Sequence, residues 1–246
     1  MHNDGAVLQL KVPSGQGQAA MIWWGLGLTT IYALCLIFLL HMVPPPDATL
    51  GADAVADFYR THRNQILLGA TICSWTGAFM VPLATVLAIQ TARLQQGIRS
   101  WAILCFAGGI MMSIFLVLPP LFWGIAAFSV DRPAELTLLM HELALLTLTT
   151  TDQYFIFQMI PVAWVSLSIT EHRPDSALPR WLGYSTLWIA LAFEAGAWAF
   201  MTRSGPFSWN GRYIFWVPLI AFGVWILMFS ISCLRALAVQ QRQGDL

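Results

Sequence analysis

Charge is what this chain has least of: 10% of its 246 residues are Asp, Glu, Lys or Arg, where a soluble domain carries roughly 25%. A soluble globular domain is therefore excluded, and with 58% apolar residues the composition is that of an integral membrane protein. Neither sign predominates, with 12 basic against 12 acidic residues. That leaves no clustered basic surface of the kind nucleic acid requires, and nucleic acid is set aside as a partner. Lysine is almost missing. Lys11 is the sole one, outside every apolar run, so a retinal-type Schiff base inside the membrane has no nucleophile.

Histidine is sparse as well. His2, His41, His62, His141 and His172 stand at least 21 residues apart, which excludes the histidine boxes of membrane di-iron enzymes. It leaves His141 and His41 as the histidines near membrane depth for haem ligation. Gly-x-Ser-x-Gly, Walker A, Gly-x-Gly-x-x-Gly and aspartate-rich diphosphate motifs are missing too, which argues against metal-dependent prenyl transfer. Cys35, Cys73, Cys105 and Cys233 each sit alone in a separate apolar stretch with no CxxC, and read as small buried hydrophobes. Neither a metal site nor a cofactor is expected.

What the chain has is long uncharged runs. None of the four charged types occurs between Lys11 and Asp47, from Asn64 to Ala92, from Ser100 to Val130, or from Tyr213 to Leu234, and each run exceeds the ~20 residues that cross a bilayer. Gln153 to Thr170 makes a fifth span. Trp181 to Thr202, interrupted only by Glu194, makes a sixth that would rise ~33 Å as a helix. The runs lack the alternation of barrel strands. The expected fold is an all-α, polytopic integral membrane protein of about six transmembrane helices, kinked at Pro82, Pro119, Pro120, Pro161 and Pro218. The expected organisation is a flexible cytoplasmic segment over 1–20, one helix bundle over 21–238 and a cytoplasmic tail over 239–246. The first apolar run ends in Pro44-Pro45-Pro46 rather than a small-residue cleavage site, so it is expected to be retained.

Six spans put Lys11, Arg93, Arg99, Arg173, Arg180, Arg235 and Arg242 on one side and Arg60, Arg63, Arg132, Arg203 and Arg212 on the other. The excess favours both termini in the cytoplasm, in a multi-pass protein of a bacterial inner membrane. Between the first two spans, Val55, Phe58, Tyr59 and His62 fall on one side of a short helix, read as lying on the headgroups or as a lid over an outward-opening cavity. Trp23, Trp24, Trp101, Trp181, Trp209, Tyr213 and Trp216 stand near span ends, as interface anchors do.

The polar residues inside the spans carry the functional reading. Glu194 lies near the middle of the sixth run, where an ionised carboxylate costs ~2.5 kcal/mol or more, so it is expected to face protein, within reach of Asp152, Tyr154 or Thr76. Ala192 with Gly196 and Ala195 with Ala199 form small-xxx-small pairs beside it. Ala134 to Thr170 would rise ~55 Å as one helix, nearly twice the hydrocarbon thickness, so its first part is expected at the outer surface, with a bend near Pro161. Glu135, Glu142 and Thr149 share a line on it. Thr149, Thr150, Thr151, Asp152, Gln153, Tyr154 and Gln158 form the densest polar cluster beside an apolar span, read either as an interface boundary or as the wall of a polar pocket.

Three functions fit. In the first, an intramembrane cavity with Glu194, Asp152, Tyr154, Gln158 and Trp198 as ligand-binding residues holds a small apolar or lipid-like molecule, for transport or presentation to a partner. In the second, Glu194 is the acid of a metal-independent isomerase or cyclase, with Asp152 or His141 accepting the proton. In the third the chain is a structural subunit, and a protonated Glu194 bonds two helices. The partners implied are membrane lipid, a small apolar ligand, and a second protein or another copy of the chain. The topology is checked by single cysteines introduced at Thr49 and Ser176. Membrane-impermeant reagents should label the first from outside and the second from inside. Same-side labelling would mean that Ala134 to Thr151 is itself a span or that one of the six is not.

Overall fold

The computed structural model describes residues 14–96, 98–169 and 173–244; His2, Lys11, His172 and the first 13 residues of the expected flexible segment lie outside them. All regular structure among the described residues is helical. In order it comprises α1 (Gly15–Phe38), α2 (Ala52–Thr61), α3 (Arg63–Thr76), α4 (Met80–Arg93), α5 (Ser100–Phe128), α6 (Ala134–Thr150), α7 (Ile156–Ser168), α8 (Arg180–Phe193) and α9 (Val217–Gln243). Tight 3-10 coils join several of these, at Gly77–Phe79 between α3 and α4, Asp152–Phe155 between α6 and α7, and Glu194–Met201 after α8. A π-helical turn, Arg212–Trp216, leads into α9.

Four helical segments are long and apolar enough to cross a membrane: Gly15–Phe38, Arg63–Arg93, Ser100–Phe128 and Arg212–Gln243. Of the other two expected spans, Gln153 to Thr170 opens in 3-10 coil and then forms α7, of 13 residues, and Trp181 to Thr202 forms most of α8, of 14 residues, and then 3-10 coil, each helix shorter than a crossing needs. α1 begins at Gly15, before the expected start at Met21, because the Ser14 hydroxyl accepts from the Gly17 amide at 3.3 Å and caps the first turn. At the other end α9 runs on to Gln243 and stops on Gly244 in the left-handed conformation (φ 75°), so most of the expected tail is helix.

α5 is the axis of the bundle, packed on α3, α4, α6 and α7. Its composition permits that: Gly108 and Gly109 leave no side chain on the face toward α7, and a Cβ at Gly108 would come within 2.5 Å of the Gln158 backbone nitrogen and 2.6 Å of the Phe157 carbonyl carbon. Lipid tails are as apolar as leucine, so burial drives little association here and close van der Waals packing must hold the helices. Trp123, on the same helix, is wholly buried. α1 packs on α3, α4 and α9, and α8 on α7 and α9.

One end of the bundle is held by amides. Gln90 donates to Gln18 at 2.8 Å, Gln240 donates to Gln90 at 3.0 Å and to the Asp175 carbonyl at 2.7 Å, and all three glutamines are buried. They join α1, α4 and α9 without a formal charge, where an unpaired amide would be costly. At the other end Trp209 donates to the Pro46 carbonyl at 3.0 Å, and Asn210 donates to Asp47 at 3.2 Å. The Thr49 hydroxyl and amide also donate to Asp47 and hold its carboxyl below the usual range. Trp209 is thus buried between loops, not an interface anchor, because its indole N–H is needed by a loop carbonyl. α2 lays Val55 and Tyr59 on α6, so its apolar side rests on protein rather than on headgroups.

The break in the Ala134 to Thr170 stretch falls at Thr151 to Phe155, ahead of Pro161, which lies inside α7. The cause is local. Thr149, Thr150 and Thr151 each turn their hydroxyl back to the carbonyl four residues earlier, and such back-bonding loosens a helix. Glu135, Glu142 and Thr149 do share a line, but it descends from exposed through half-buried to buried.

Gly108 and Gly27 offer a paired test. Gly108→Ala should lower thermal stability in detergent by about 1–3 kcal/mol, since backbone cannot yield to the new methyl. Gly27→Ala, with nothing within 4 Å of its Cβ position, should be neutral or stabilising by up to about 1 kcal/mol. Equal effects would mean that α5 and α7 do not meet at Gly108.

Candidate functional site

A cavity of about 270 Å³ lies between α1, α5, α9 and the broken segments, and Asp152 is the one acidic residue lining it. Asp152 is carried by the 3-10 coil that follows the threonine run, with Phe155 one turn on, so the two point the same way. Both are buried. The remaining wall is aromatic and aliphatic: Tyr32 from α1, Phe79 from the coil before α4, Phe193 from the end of α8, and Phe222 from α9. Phe155 stands 5.3 Å from Phe193 and 5.0 Å from Phe222, while Tyr32 stands 5.5 Å from Phe79, ring centre to ring centre.

Asp152 Oδ1 is buried without a hydrogen-bond partner. It is packed so closely against Gly196 that a Cβ there would collide with Oδ1 and with the Thr149 carbonyl. Three-residue turns make this approach possible. Ala190, Phe193, Gly196 and Ala199 follow one another at intervals of three and all are buried, the period of a 3-10 coil and not of an α-helix. Gly196 and Ala199 are thus the inward members of the two small-residue pairs. Eight residues is a long run for this coil, a form found often at strained or functional segments.

The same periodicity corrects the expected position of Glu194. Phe193 and Gly196 occupy the inward stripe, which leaves Glu194 about 120° away from it, and its side chain is exposed on the outside of the bundle. It does not line the cavity. Tyr154 faces outward and stacks on Phe115 at 5.1 Å. Gln158 is wholly buried against Gly109 and beside Cys105, and Trp198 is exposed. Of the expected ligand-binding residues, Asp152 alone is in the cavity wall.

His141 is buried, with Nδ1 2.9 Å from the Tyr59 hydroxyl and its ring edge-on to Trp209. α6 is regular between it and Thr150, so His141 and Asp152 stay about 16 Å apart along the axis. The structure does not bring Glu194, Asp152 and His141 into one constellation. It does join two histidines that sequence distance had separated: the His41 and His62 rings are 4.3 Å apart, and both reach Gln65 Oε1, at 2.7 and 3.2 Å. Among the described residues no group of three or more His, Cys, Asp or Glu is placed to hold a metal ion.

The cavity's aromatic residues were not singled out in the sequence, because Phe79, Phe193 and Phe222 look like any apolar residue of a span. A usable signal was the single acid at Asp152 with Phe155 three residues on. No family model, no curated protein and no solved structure matches the chain.

The contact between Gly196 and Asp152 is open to a double-mutant cycle. Gly196→Ala should cost about 1–3 kcal/mol of stability through overpacking. In an Asp152→Ala background the cost should shrink, since one of the two colliding groups is gone; strict additivity of the two changes would place these residues out of contact.

Proposed function

We propose that this chain is an integral membrane protein of about six kinked spans that binds a small apolar or lipid-like molecule in the cavity around Asp152, for transport or presentation to a partner. The span count adds α6 with α7, and α8 with the coil that follows it, to the four long segments. Both termini then lie on one side, the cytoplasmic side by the excess of basic residues.

The observation that carries the reading is a hollow lined almost wholly by apolar side chains around one carboxyl group, the combination expected of a site for a mostly apolar molecule with one polar feature. An apolar protein cavity of roughly 150 Å³ takes up benzene. By the same ratio about 270 Å³ takes about eleven non-hydrogen atoms, which suits a small ring system or part of a lipid-like chain but not a whole phospholipid. Ala33 in the last third of α1 and Gly223 in the first third of α9 line the cavity and are both exposed. That arrangement supports entry sideways from the hydrocarbon, between α1 and α9. The π-turn before α9 and the long coil after α8 are irregular backbone of the kind that membrane proteins keep beside cavities.

Gly223 gives the test, because it lines the cavity and a Cβ added there meets nothing within 4 Å. In nanodiscs, with empty discs subtracted, the wild type should bind the fluorescent probe 1-aminonaphthalene saturably. Gly223→Leu should fold with equal or higher stability, since leucine favours helix over glycine by up to about 1 kcal/mol, and should bind the probe at least about tenfold more weakly, a loss of about 1.4 kcal/mol. Undiminished binding by a folded Gly223→Leu variant would sink the proposal.

A further inference from the structure

We infer that the cavity selects a lipophilic organic cation of about one aromatic ring's bulk, with the Asp152 carboxylate as its counter-charge and the surrounding rings as its cage. The inference rests on the cavity being a binding site, and narrows the ligand to one chemical class.

The polar groups of the wall decide the sign. Every hydroxyl there is already engaged: Tyr32 donates to the Leu116 carbonyl at 2.7 Å, Thr29 to Gly25 at 2.8 Å and Thr149 to Leu145 at 2.9 Å. No lysine, arginine or histidine lines the cavity. An anionic ligand would therefore find no free donor or cation, and would meet the Asp152 carboxyl. A neutral apolar ligand would fill the space but leave that carboxyl without a partner in low dielectric, which is the costly arrangement. A cation supplies the missing charge.

The rings point to the same class. Phe222 stands within 6.2 Å of Phe79, Phe155 and Phe193, and these pairs are tilted or edge-on instead of stacked face to face. All four rings line the cavity. Each face carries the negative end of the ring quadrupole, and several around one cation form the cage that recognises quaternary ammonium groups. Such a cage needs no hydrogen-bond donor from the ligand, in keeping with a wall whose own hydroxyls are all used.

The test compares two molecules of one shape. Benzyltrimethylammonium and neopentylbenzene differ by a charged nitrogen in place of a carbon, and radiolabelled forms of both can be equilibrated with nanodiscs carrying the full chain, empty discs being subtracted. The wild type should bind the cation at least about tenfold more tightly than the neutral isostere. Asp152→Asn should abolish that preference while leaving neopentylbenzene binding within about twofold. Phe222→Leu, which keeps the carboxylate, should weaken the cation by about threefold more than the isostere, and it decides the matter if Asp152→Asn does not fold. Equal wild-type binding of the two compounds, or a preference that survives in folded Asp152→Asn, overturns the cation inference and leaves the apolar cavity standing. If neither compound nor 1-aminonaphthalene binds the wild type, the cavity reading itself fails.

Discussion

Between Gly108 and Gln158 two backbones run against each other with no side chain between them, and much of the bundle is arranged by that approach. Inside a membrane the solvent offers helices no reason to associate through apolar burial, so their attraction depends on how closely their atoms meet. The glycine pair lets α5 serve as the axis on which α3, α4, α6 and α7 are set. Because α7 is fixed there, the coil preceding it is fixed as well, and with it Asp152. The acid owes its position to a contact it does not make.

A second close approach, of Gly196 to Asp152 and Thr149, shows how the chain changes its pitch to obtain such contacts. An α-helix continuing from Phe193 would have turned Gly196 off the inward stripe; the three-residue turn retains it. The threonine run upstream of Asp152 acts in the same direction, each hydroxyl occupying a carbonyl of the preceding turn. Both strands of the argument place irregular backbone where the cavity is, and regular helix where packing alone is required.

How much of this was legible beforehand differs with the physics involved. The helical class and the four long apolar segments follow from charge-free length, which is a one-dimensional property. Asp152 and the polar cluster around it were legible because a carboxyl in an apolar context is rare. Glu194 lies elsewhere than expected because its inward direction rests on the cost of a carboxylate among lipid, whereas the structure gives the inward stripe to Phe193 and Gly196 and leaves Glu194 exposed. The glutamine cluster of Gln18, Gln90 and Gln240 was invisible, since its members come from three distant segments, and so was the His41–His62 pair. Aromatic walls are harder still, as a phenylalanine facing a cavity and one facing lipid are chemically the same.

The amide clamp between α1, α4 and α9 differs in kind from the buried acid Asp152. In a membrane held at 100 mV, a unit charge carried across the full thickness changes energy by about 2.3 kcal/mol. Gln18, Gln90 and Gln240 carry no formal charge to couple to that voltage, and their hydrogen bonds do not depend on the gain or loss of a proton in the physiological range. The end of the bundle that ties α1 to α9 is therefore indifferent to the energised state of the membrane. A cation bound at Asp152, as proposed, would cross part of the field, and the voltage would act on that step without loosening the clamp that joins α1 to α9.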